Sequence, residues 1–240
     1  MQIVNDTYKT IDGINLPIRI YYPDNHNGDC VVNIHGGGWH AVRDNSEWNG
    51  GWMNYQAEYY AKKGYIGIVF SYRSIDLTEK TEVSDIYCDC KDAIKYINDK
   101  VNYNKIIITG DSAGGHLATL LGLDSEVKTD IIVACNPVLD LTEEKWAYCA
   151  SSPEALKQYS PYFNITKTDT KFLLMHGDCD TVVDCNITKS FYELLKQNNI
   201  YTQLVILPEA KHAFILKNYN STDEQIQSYM DIIDKFITEN

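Results

Sequence analysis

Short apolar runs alternate with amphipathic segments along most of the chain. Six runs are rich in β-branched residues and almost continuously apolar, which is typical of strands buried on both faces. They cover residues 30–34, 66–71, 106–109, 131–135, 172–176 and 203–207. Two earlier runs, 7–11 and 18–22, lie on either side of Asp12 and Gly13 and predict an N-terminal hairpin.

Helical patterns fill the spaces between several of these runs. Apolar residues recur at intervals of three and four over 83–97, 187–195 and 226–237. Strands that alternate with helices predict an α/β fold, with a mostly parallel eight-stranded sheet and helices on both faces. Residues 139–169 contain no clear strand and are expected to pass over the sheet and shape a pocket. With no repeat and no linker, residues 1–240 are predicted to form a single domain.

Composition and charge narrow the choice of partners. Of the 240 residues, 44% are hydrophobic and 22% charged, as in ordinary globular proteins. The net charge of −12 repels phosphate backbones and anionic lipids, so neither nucleic acid nor membrane is an expected partner. No apolar run approaches the roughly 20 residues of a membrane span, and no signal peptide is seen.

The seven cysteines indicate a reducing compartment. An odd number of cysteines without a signal peptide favours free thiols, and we expect a cytoplasmic protein. Cys88 and Cys90 are two residues apart with no histidine close to them, which is not the spacing of a zinc site. The chain is therefore expected to need no metal.

The strongest chemical signal is the glycine-rich segment 110–115, which reads GDSAGG. It follows a predicted strand and precedes an apolar helix-like run, the context that G-x-S-x-G requires at a nucleophile elbow. Gly110 and Gly114 permit the sharp turn, and Ser112 then projects its hydroxyl from the sheet. A glycine turn without chemistry is the alternative, and the combined strand, turn and helix pattern favours the elbow.

A second glycine run, HGGGW at 35–39, directly follows the predicted strand 30–34. Such a loop brings backbone N–H groups close to one substrate oxygen. Gly37 and Gly38, with the N–H of Ala113 after the serine, are the candidate oxyanion donors. A phosphate-binding turn is the alternative, but no Lys-Ser/Thr pair follows. His35 is expected to hold the loop by hydrogen bonds.

A nucleophilic serine needs a base, and the base needs a carboxylate that orients it. Of six histidines, His212 lies just past the last predicted strand, at the sheet edge that carries the elbow. His176 and His116 are expected to be structural. Three aspartates that follow the preceding strand remain candidates for the acid: Asp178, Asp180 and Asp184. The chain order serine, acid, histidine is that of the α/β-hydrolase fold.

These motifs resemble those of the α/β-hydrolase superfamily, in its hormone-sensitive-lipase-like and bacterial carboxylesterase branch. The resemblance covers about residues 35–214. In similar proteins HG-x-x-D-x-x-V carries the acid, which falls on Asp180, and a loop ending in H-x-F carries the base, which falls on His212. Residues 71–73 and 159–161 look like the family's Y-R and S-P segments.

The chain also departs from that family. Only about thirty residues precede the HGGG strand, so we expect no large N-terminal cap of the kind that many relatives have. The segment after Arg73 lacks the family's proline-rich stretch, and Asp184 stands where a proline is usual. Short, capless relatives with HGGGW include feruloyl and acetyl-xylan esterase-like proteins, and kynurenine formamidases look similar.

The resemblance implies a serine carboxylesterase with Ser112, His212 and Asp180 as its triad and no cofactor. Its substrates would be short-chain or aromatic acyl esters of small molecules or oligosaccharides, including plant-derived carbohydrates. An amidase or peptidase is the alternative within the chemistry, and a non-catalytic ligand receptor the alternative outside it, although receptors of this fold lose a triad residue.

The aromatic residues near the HGGGW loop are candidates for substrate contacts. Trp39 is predicted to bind substrate, and Trp48, Trp52 and several tyrosines near the loop could form an aromatic wall for a sugar or phenolic group. The alternative is that they pack in the core. An exposed edge of the sheet would also allow two chains to pair as a homo-oligomer.

Overall fold

The computed structural model describes residues 1–40, 51–75 and 80–240, with the side chains of 51–54 left out. Its strands are β1 Gln2–Ile11, β2 Ile14–Tyr22, β3 Cys30–Ile34, β4 Ile66–Phe70, β5 Ile106–Asp111, β6 Ile131–Cys135, β7 Lys171–Gly177 and β8 Thr202–Leu207. Its helices are α1 Gly51–Lys62, α2 Val83–Lys100, α3 Ala113–Leu123, α4 Pro153–Gln158, α5 Cys185–Gln197 and α6 Asp223–Glu239.

All eight strands form one sheet in the order β1-β2-β4-β3-β5-β6-β7-β8. The first two strands form an antiparallel hairpin, and β2 pairs antiparallel with β4. From β4 to β8 every pairing is parallel. Asp12 and Gly13 have φ angles of 52° and 77°, the left-handed pair that a tight hairpin turn requires. The predicted mostly parallel eight-stranded sheet is confirmed.

Helices cover both faces of the sheet, and alternate residues of each inner strand pack against them. Ile106 and Ile108 of β5 join the apolar cluster under α2, α3 and α5, whereas Ile107 joins the cluster under α1 and α6. Helix α3 lies in the middle of the first layer, and every one of its residues is buried. This two-sided burial explains why the parallel strands are apolar at nearly every position.

The carboxyl ends of the parallel strands place four loops at one edge of the sheet. The loop after β3 begins at His35, Ser112 follows β5, residues 178–184 follow β7, and residues 208–222 follow β8. In open α/β sheets, ligands bind in the crevice outside this edge. The four loops that carry the sequence motifs therefore meet where a ligand would bind.

Residues 139–169 form a compact excursion over this edge without a strand. It contains the short helix α4 and two short 3-10 helical segments, Glu144–Cys149 and Pro161–Phe163. Ser160 fastens it internally, because its hydroxyl donates to the carbonyl of Leu156 and accepts from the N–H of Leu141, both at 2.7 Å. None of the helices in the described part of the chain is both long and apolar enough to cross a membrane.

Candidate active site

Ser112 stands at a strained turn between β5 and α3. Its backbone angles are φ 53° and ψ −119°, which a residue with a side chain adopts only when the surrounding structure enforces it. Its N–H donates to the carbonyl of Cys135 at 2.9 Å, which ties the turn to the neighbouring strand. A Cβ on Gly114 would lie 2.1 Å from the carbonyl oxygen of Ile34. The turn therefore has the backbone of a nucleophile elbow.

The structure brings the serine, the histidine and one aspartate into hydrogen-bond contact. Nε2 of His212 lies 2.9 Å from Oγ of Ser112, and Nδ1 of His212 lies 2.7 Å from Oδ2 of Asp180. The backbone of His212 is held from the other side, because Nδ2 of Asn220 donates to its carbonyl at 2.6 Å. These contacts are those through which a base activates a serine while a carboxylate orients the base.

Asp180 is held as a buried carboxylate. Its side chain is fully buried, and Oδ1 accepts the N–H groups of Val182 and Val183 at 2.8 and 3.0 Å. Burial by itself raises the pKa of Asp180. Hydrogen bonds from His176, His212 and the N–H of Val183 lower it more, so the net pKa is well below the ordinary value. The carboxylate is therefore ionised at neutral pH.

The other two aspartates of this loop have separate contacts. Oδ1 of Asp178 accepts the N–H of Glu209 at 2.6 Å and so links the β7 loop to the β8 loop. Asp184 is the N-cap of α5 and accepts the N–H of Asn186 at 2.9 Å. This cap accounts for the departure from the proline usual in similar proteins, because a side-chain oxygen here closes the helix terminus.

The HGGGW loop turns back on itself beside Ser112. Gly37, Gly38 and Trp39 have φ angles of 102°, 65° and 61°, three consecutive left-handed residues. Both glycines line the cleft together with Ser112. Ala113 is the first residue of α3, so its N–H has no partner within the helix. The predicted oxyanion donors thus all lie at the same end of the sheet as the serine.

Tyr72 and His35 anchor the root of this loop. The hydroxyl of Tyr72 donates to the carbonyl of His35 at 2.8 Å, and the two rings stack with their centroids 4.1 Å apart. Nδ1 of His35 lies 2.8 Å from the carbonyl of Gly36. Burial lowers the pKa of His35 to about 4, so the ring is neutral. His35 holds the loop, as expected, and Tyr72 belongs to the segment that resembles the family's Y-R element.

Trp39 is not placed to bind substrate, and this prediction is wrong. Its side chain is fully buried, and its ring packs edge-on against Trp146 at 5.6 Å. Its Nε1–H donates to Nδ1 of His116 at 3.2 Å, and Nε2 of His116 lies 2.7 Å from the carbonyl of Tyr159. The sequence shows that a tryptophan ends the loop but not that its backbone turns the ring inward. Trp48 and the side chain of Trp52 lie outside the described residues.

The excursion bridges the loops around Ser112. The hydroxyl of Tyr148 lies 3.4 Å from the carbonyl of Gly38, on the oxyanion loop. Nζ of Lys145 donates at 2.9 Å to the carbonyl of Val182, in the loop that carries Asp180. Trp146, between them, lines the cleft. The prediction that residues 139–169 shape the pocket is confirmed, and Trp146 takes the wall position that the sequence suggested for Trp39.

The cleft above Ser112 has a volume of 1110 Å³ and extends well beyond the three triad residues. Near the serine its walls include Gly37, Gly38, Trp146 and Val182. A second part, which we call the tyrosine arm, consists of Tyr55 and Tyr59 from α1 and residues 216–219 after β8. The sequence indicated tyrosines near the oxyanion loop as a possible aromatic wall, but it did not indicate that residues 216–219 after β8 lie in the same cleft.

Asp111 is a further cleft residue that sequence reasoning missed as a site residue. It is buried beside Ser112, and it is the variable residue of the G-x-S-x-G motif. Burial raises its pKa to about 6, although the nearby His212 and a hydrogen bond from the N–H of Gly36 act in the opposite direction. The carboxyl therefore titrates close to neutral pH and contacts the start of the oxyanion loop.

Across residues 1–40, 51–75 and 80–240, no group of three or more histidine, cysteine, aspartate or glutamate side chains is arranged to hold a metal ion.

The sheet order, the elbow at Ser112 and the loops at one sheet edge together define an α/β-hydrolase. Residues 18–148 match the model of the BD-FAE family, a family of α/β-hydrolase esterases. This match spans more than half of the 240 residues, and the chain belongs to the BD-FAE family.

Two curated relatives are hydrolases of esters or thioesters. An acetylxylan esterase from Xylanibacter ruminicola is 25% identical over 213 residues, which are 81% of this chain and 42% of the relative. An acyl-protein thioesterase 1 from Neurospora crassa is 26% identical over 145 residues, which are 60% of this chain and 50% of the relative. The chain thus spans half or less of the length of these relatives.

Solved structures of an esterase match almost the whole chain. Thermogutta terrifontis esterase 2 phosphorylated by paraoxon has a TM-score of 0.83 and 25% identity, covering 99% of this chain and 94% of the esterase. Its propionate-bound form has a TM-score of 0.82 and 25% identity, covering 98% and 93%. The predicted membership of an α/β-hydrolase esterase family is confirmed, and these structural neighbours are esterases.

Proposed function

We propose that this protein is a serine carboxylesterase that hydrolyses short-chain acyl esters through an acyl-enzyme on Ser112. The observation that carries the proposal is the continuous pair of hydrogen bonds from Ser112 Oγ to His212 Nε2, at 2.9 Å, and from His212 Nδ1 to Asp180 Oδ2, at 2.7 Å. The family and its esterase relatives support the same reaction class.

In the first half-reaction, Oγ of Ser112 attacks the ester carbonyl while Nε2 of His212 takes its proton. The carbonyl oxygen becomes an oxyanion that the N–H groups of Gly37, Gly38 and Ala113 would stabilise, and one such donor typically lowers the barrier by about 3 kcal/mol. The tetrahedral intermediate collapses, the carbon–oxygen bond to the alcohol breaks, and His212 donates its proton to the leaving oxygen.

The second half-reaction reverses these proton transfers with water. His212 takes a proton from a water molecule, whose oxygen attacks the acyl carbonyl on Ser112. Collapse of the second intermediate releases the carboxylic acid and returns the proton to Ser112. Asp180, which is ionised and fixed by backbone N–H groups, holds the Nδ1–H tautomer of His212 and stabilises the imidazolium that forms in both steps. No step requires a cofactor.

The walls close to Ser112 favour a short acyl group. The excursion lies across the oxyanion loop through Tyr148 and Gly38, and Trp146 fills part of the adjoining wall. A long acyl chain would have to displace these contacts. Independently, the Thermogutta terrifontis esterase has been solved with propionate bound, which supports a short acyl group.

The tyrosine arm favours an alcohol larger than a simple alkyl group, such as a sugar. Tyr55 and the 67% exposed Tyr219 offer ring faces, and Lys217 Nζ lies 5.5 Å from the centre of the Tyr55 ring. Aromatic faces beside polar groups suit the apolar and hydroxylated faces of a sugar ring. The acetylxylan esterase among the relatives supports acetylated oligosaccharides as the natural esters.

The free thiols support a reducing compartment. All seven cysteines, which lie in the described part of the chain, are unpaired. We place the protein in the reducing cytoplasm on this basis. Its esters would then be small molecules or released oligosaccharides rather than an intact polymer.

Hydrolysis of p-nitrophenyl esters from acetyl to decanoyl tests the proposal. We expect activity that falls with acyl length in the natural protein and is lost in S112A. An S190A variant, altered at an exposed serine of α5, is the matched control and retains the activity. Equal silence of the natural protein and S112A towards every ester would overturn the esterase assignment. Preference for decanoyl over acetyl would overturn the short acyl group.

A further inference from the structure

Asp180 contacts two imidazoles, and only one of them belongs to the proposed triad. Nε2 of His176 lies 3.2 Å from Oδ2 of Asp180, the oxygen that also accepts from Nδ1 of His212 at 2.7 Å. The side chains of His176 and Asp180 are both fully buried. His176 is the last but one residue of β7, four residues before Asp180, so the strand itself carries the ring to the carboxylate.

The surroundings of His176 determine which of its nitrogens carries a proton. Nε2 faces two oxygen acceptors, Oδ2 of Asp180 and the carbonyl of Val183 at 3.1 Å, so Nε2 must be protonated. Nδ1 lies 2.8 Å from Oγ1 of Thr188, a buried residue of α5 whose hydroxyl supplies the donor when Nε2 carries the ring proton. The two acceptors at Nε2 thus set the tautomer that presents an N–H to Asp180, and Thr188 holds the other side of the ring.

We propose that His176, whose Nδ1 is held by Thr188, is a positioning residue that fixes the Asp180 carboxylate and moderates its pull on the proton of His212. The inference rests on the proposed triad and adds two residues behind it. Asp180 then accepts from four donors: two backbone N–H groups on Oδ1 and two imidazoles on Oδ2. A carboxylate has about four lone-pair sites, so its acceptor capacity is filled.

Two consequences follow from a filled acceptor set. First, the carboxylate cannot rotate away from His212 without breaking a second buried hydrogen bond, which keeps the imidazole aligned with Ser112. Second, the His176 N–H shares the negative charge of Oδ2. Without it, more of that charge faces His212, which then holds its proton more strongly. A histidine that only fills space would produce neither effect.

Four variants separate positioning from packing. H176L keeps the bulk but removes both ring nitrogens, and T188V keeps the shape of Thr188 but removes its hydroxyl. H176Q retains an amide N–H that can reach Asp180. T170V is the matched control, because Thr170 is also a buried threonine but precedes β7, at the end of that strand away from His176. Each is compared with the natural protein by kcat, KM and the pH profile of kcat/KM.

We expect H176L to lower kcat by about 10- to 100-fold, since a small misplacement of a reacting group has effects of this size. T188V should lower kcat less, KM should change little in both, and H176Q should restore most of the rate. In H176L and T188V the acidic limb of the profile should move to higher pH by about half a unit, because the charge on Asp180 is less shared. In T170V the limb should stay in place.

An unmoved acidic limb, together with no rescue by H176Q, would overturn the inference and leave His176 as packing. A measurement that needs no substrate turnover tests the inference independently of the esterase assignment. In ¹H–¹⁵N spectra of the imidazoles, we expect His176 to be protonated at Nε2, with this signal shifted in D180N. Protonation at Nδ1 alone, or a signal indifferent to D180N, would overturn the inference. Failure of the proposed function would be seen separately, as equal inactivity of the natural protein and S112A.

Discussion

The two parts of the cleft are built differently. Around Ser112, His212 and Asp180 the side chains are largely buried, and each polar atom of the triad has a hydrogen-bond partner at 2.7 to 3.0 Å. In the tyrosine arm, Lys217 and Tyr219 are exposed, and Tyr219 shows 67% of its surface.

We attribute this difference to two roles, catalysis at the buried end and selection of the alcohol in the tyrosine arm. A reacting centre loses rate when its groups move, so it is surrounded by partners that fix them. A surface that recognises a varied alcohol needs area and a few polar groups more than it needs rigidity. We therefore expect substitutions at the triad to change kcat strongly, and substitutions in the tyrosine arm to change the preference among esters by small factors.

The largest effect is expected at the buried end of the cleft. D180N keeps the shape of the acid but removes its charge, and the wrong histidine tautomer should lower kcat for p-nitrophenyl acetate by about 10⁴-fold. D178N is the matched control, since Asp178 caps a backbone N–H of the adjacent loop and does not contact His212. Equal losses in the two variants would contradict the assignment of the acid.

The W39F variant tests whether the contact between Trp39 and His116 stabilises the fold beneath the oxyanion loop. W39F removes the Nε1–H that His116 accepts and leaves a small cavity, so we expect the free energy of unfolding to fall by about 2 to 4 kcal/mol. Urea denaturation measures it. W146F is the comparison, because Nε1 of Trp146 has no partner among the described residues. A greater loss in W146F than in W39F would show that the bond to His116 contributes little.

Asp111, at the buried end of the cleft, makes the free energy of unfolding depend on pH. Its pKa is raised to about 6, above the unfolded value of about 3.9, so the folded state retains a proton in between that the unfolded state releases. The contribution of Asp111 therefore lowers the free energy of unfolding as pH rises from about 4 to 6, and is constant above 6.

The D111N variant tests this pH dependence. Without the charge, D111N should be more stable than the natural protein at pH 8 by about 1 to 3 kcal/mol, and the difference should shrink towards pH 4. Urea midpoints at both pH values measure it. D169N, at an exposed aspartate, should show no such pH-dependent difference. A difference for D111N that grows on acidification would mean that burial does not dominate at Asp111.

The smallest effect is expected in the tyrosine arm. Y219A removes one exposed ring face, worth about 0.5 to 1.5 kcal/mol if a sugar packs on it. The ratio of kcat/KM for an acetylated xylo-oligosaccharide to that for p-nitrophenyl acetate should fall about two- to tenfold. Y201A, at an exposed tyrosine outside the cleft, should leave the ratio unaltered. A ratio that Y219A does not change would remove the sugar from the tyrosine arm.

Sequence patterns predicted the fold and the triad geometry well, because both depend on strand ends. Both ends of each of the six predicted buried strands lie within two residues of the ends of an observed strand. The segments that carry Ser112, Asp180 and His212 lie at the ends of β5, β7 and β8. Parallel strands bring their carboxyl ends together, so chain order was enough to place Ser112 near His212. The choice of Asp180 over Asp178 and Asp184 needed the family motif, since all three follow the same strand.

What sequence patterns missed depends on side-chain direction and on distant packing. Trp39 follows the glycines in sequence, but a left-handed backbone turns its ring into the core. His176 was correctly expected to be buried, yet its contact with Asp180 depends on how the loop after β7 folds back. Asp111 acquires its raised pKa from burial beneath the oxyanion loop. Most of the first residues of β1 are exposed, and the polar pair Asn5 and Asp6 interrupts the apolar pattern, so backbone pairing reveals this part as a strand.

The central claim is that Ser112 is the nucleophile, and covalent labelling tests it most directly. The natural protein is treated with paraoxon, the reagent that phosphorylates the structurally similar Thermogutta terrifontis esterase 2, and then analysed by intact mass and peptide mapping. We predict one diethylphosphoryl group per chain, located on Ser112, with loss of p-nitrophenyl acetate hydrolysis in proportion to labelling. Loss of activity with the label on another residue, or full labelling of S112A, would contradict the account.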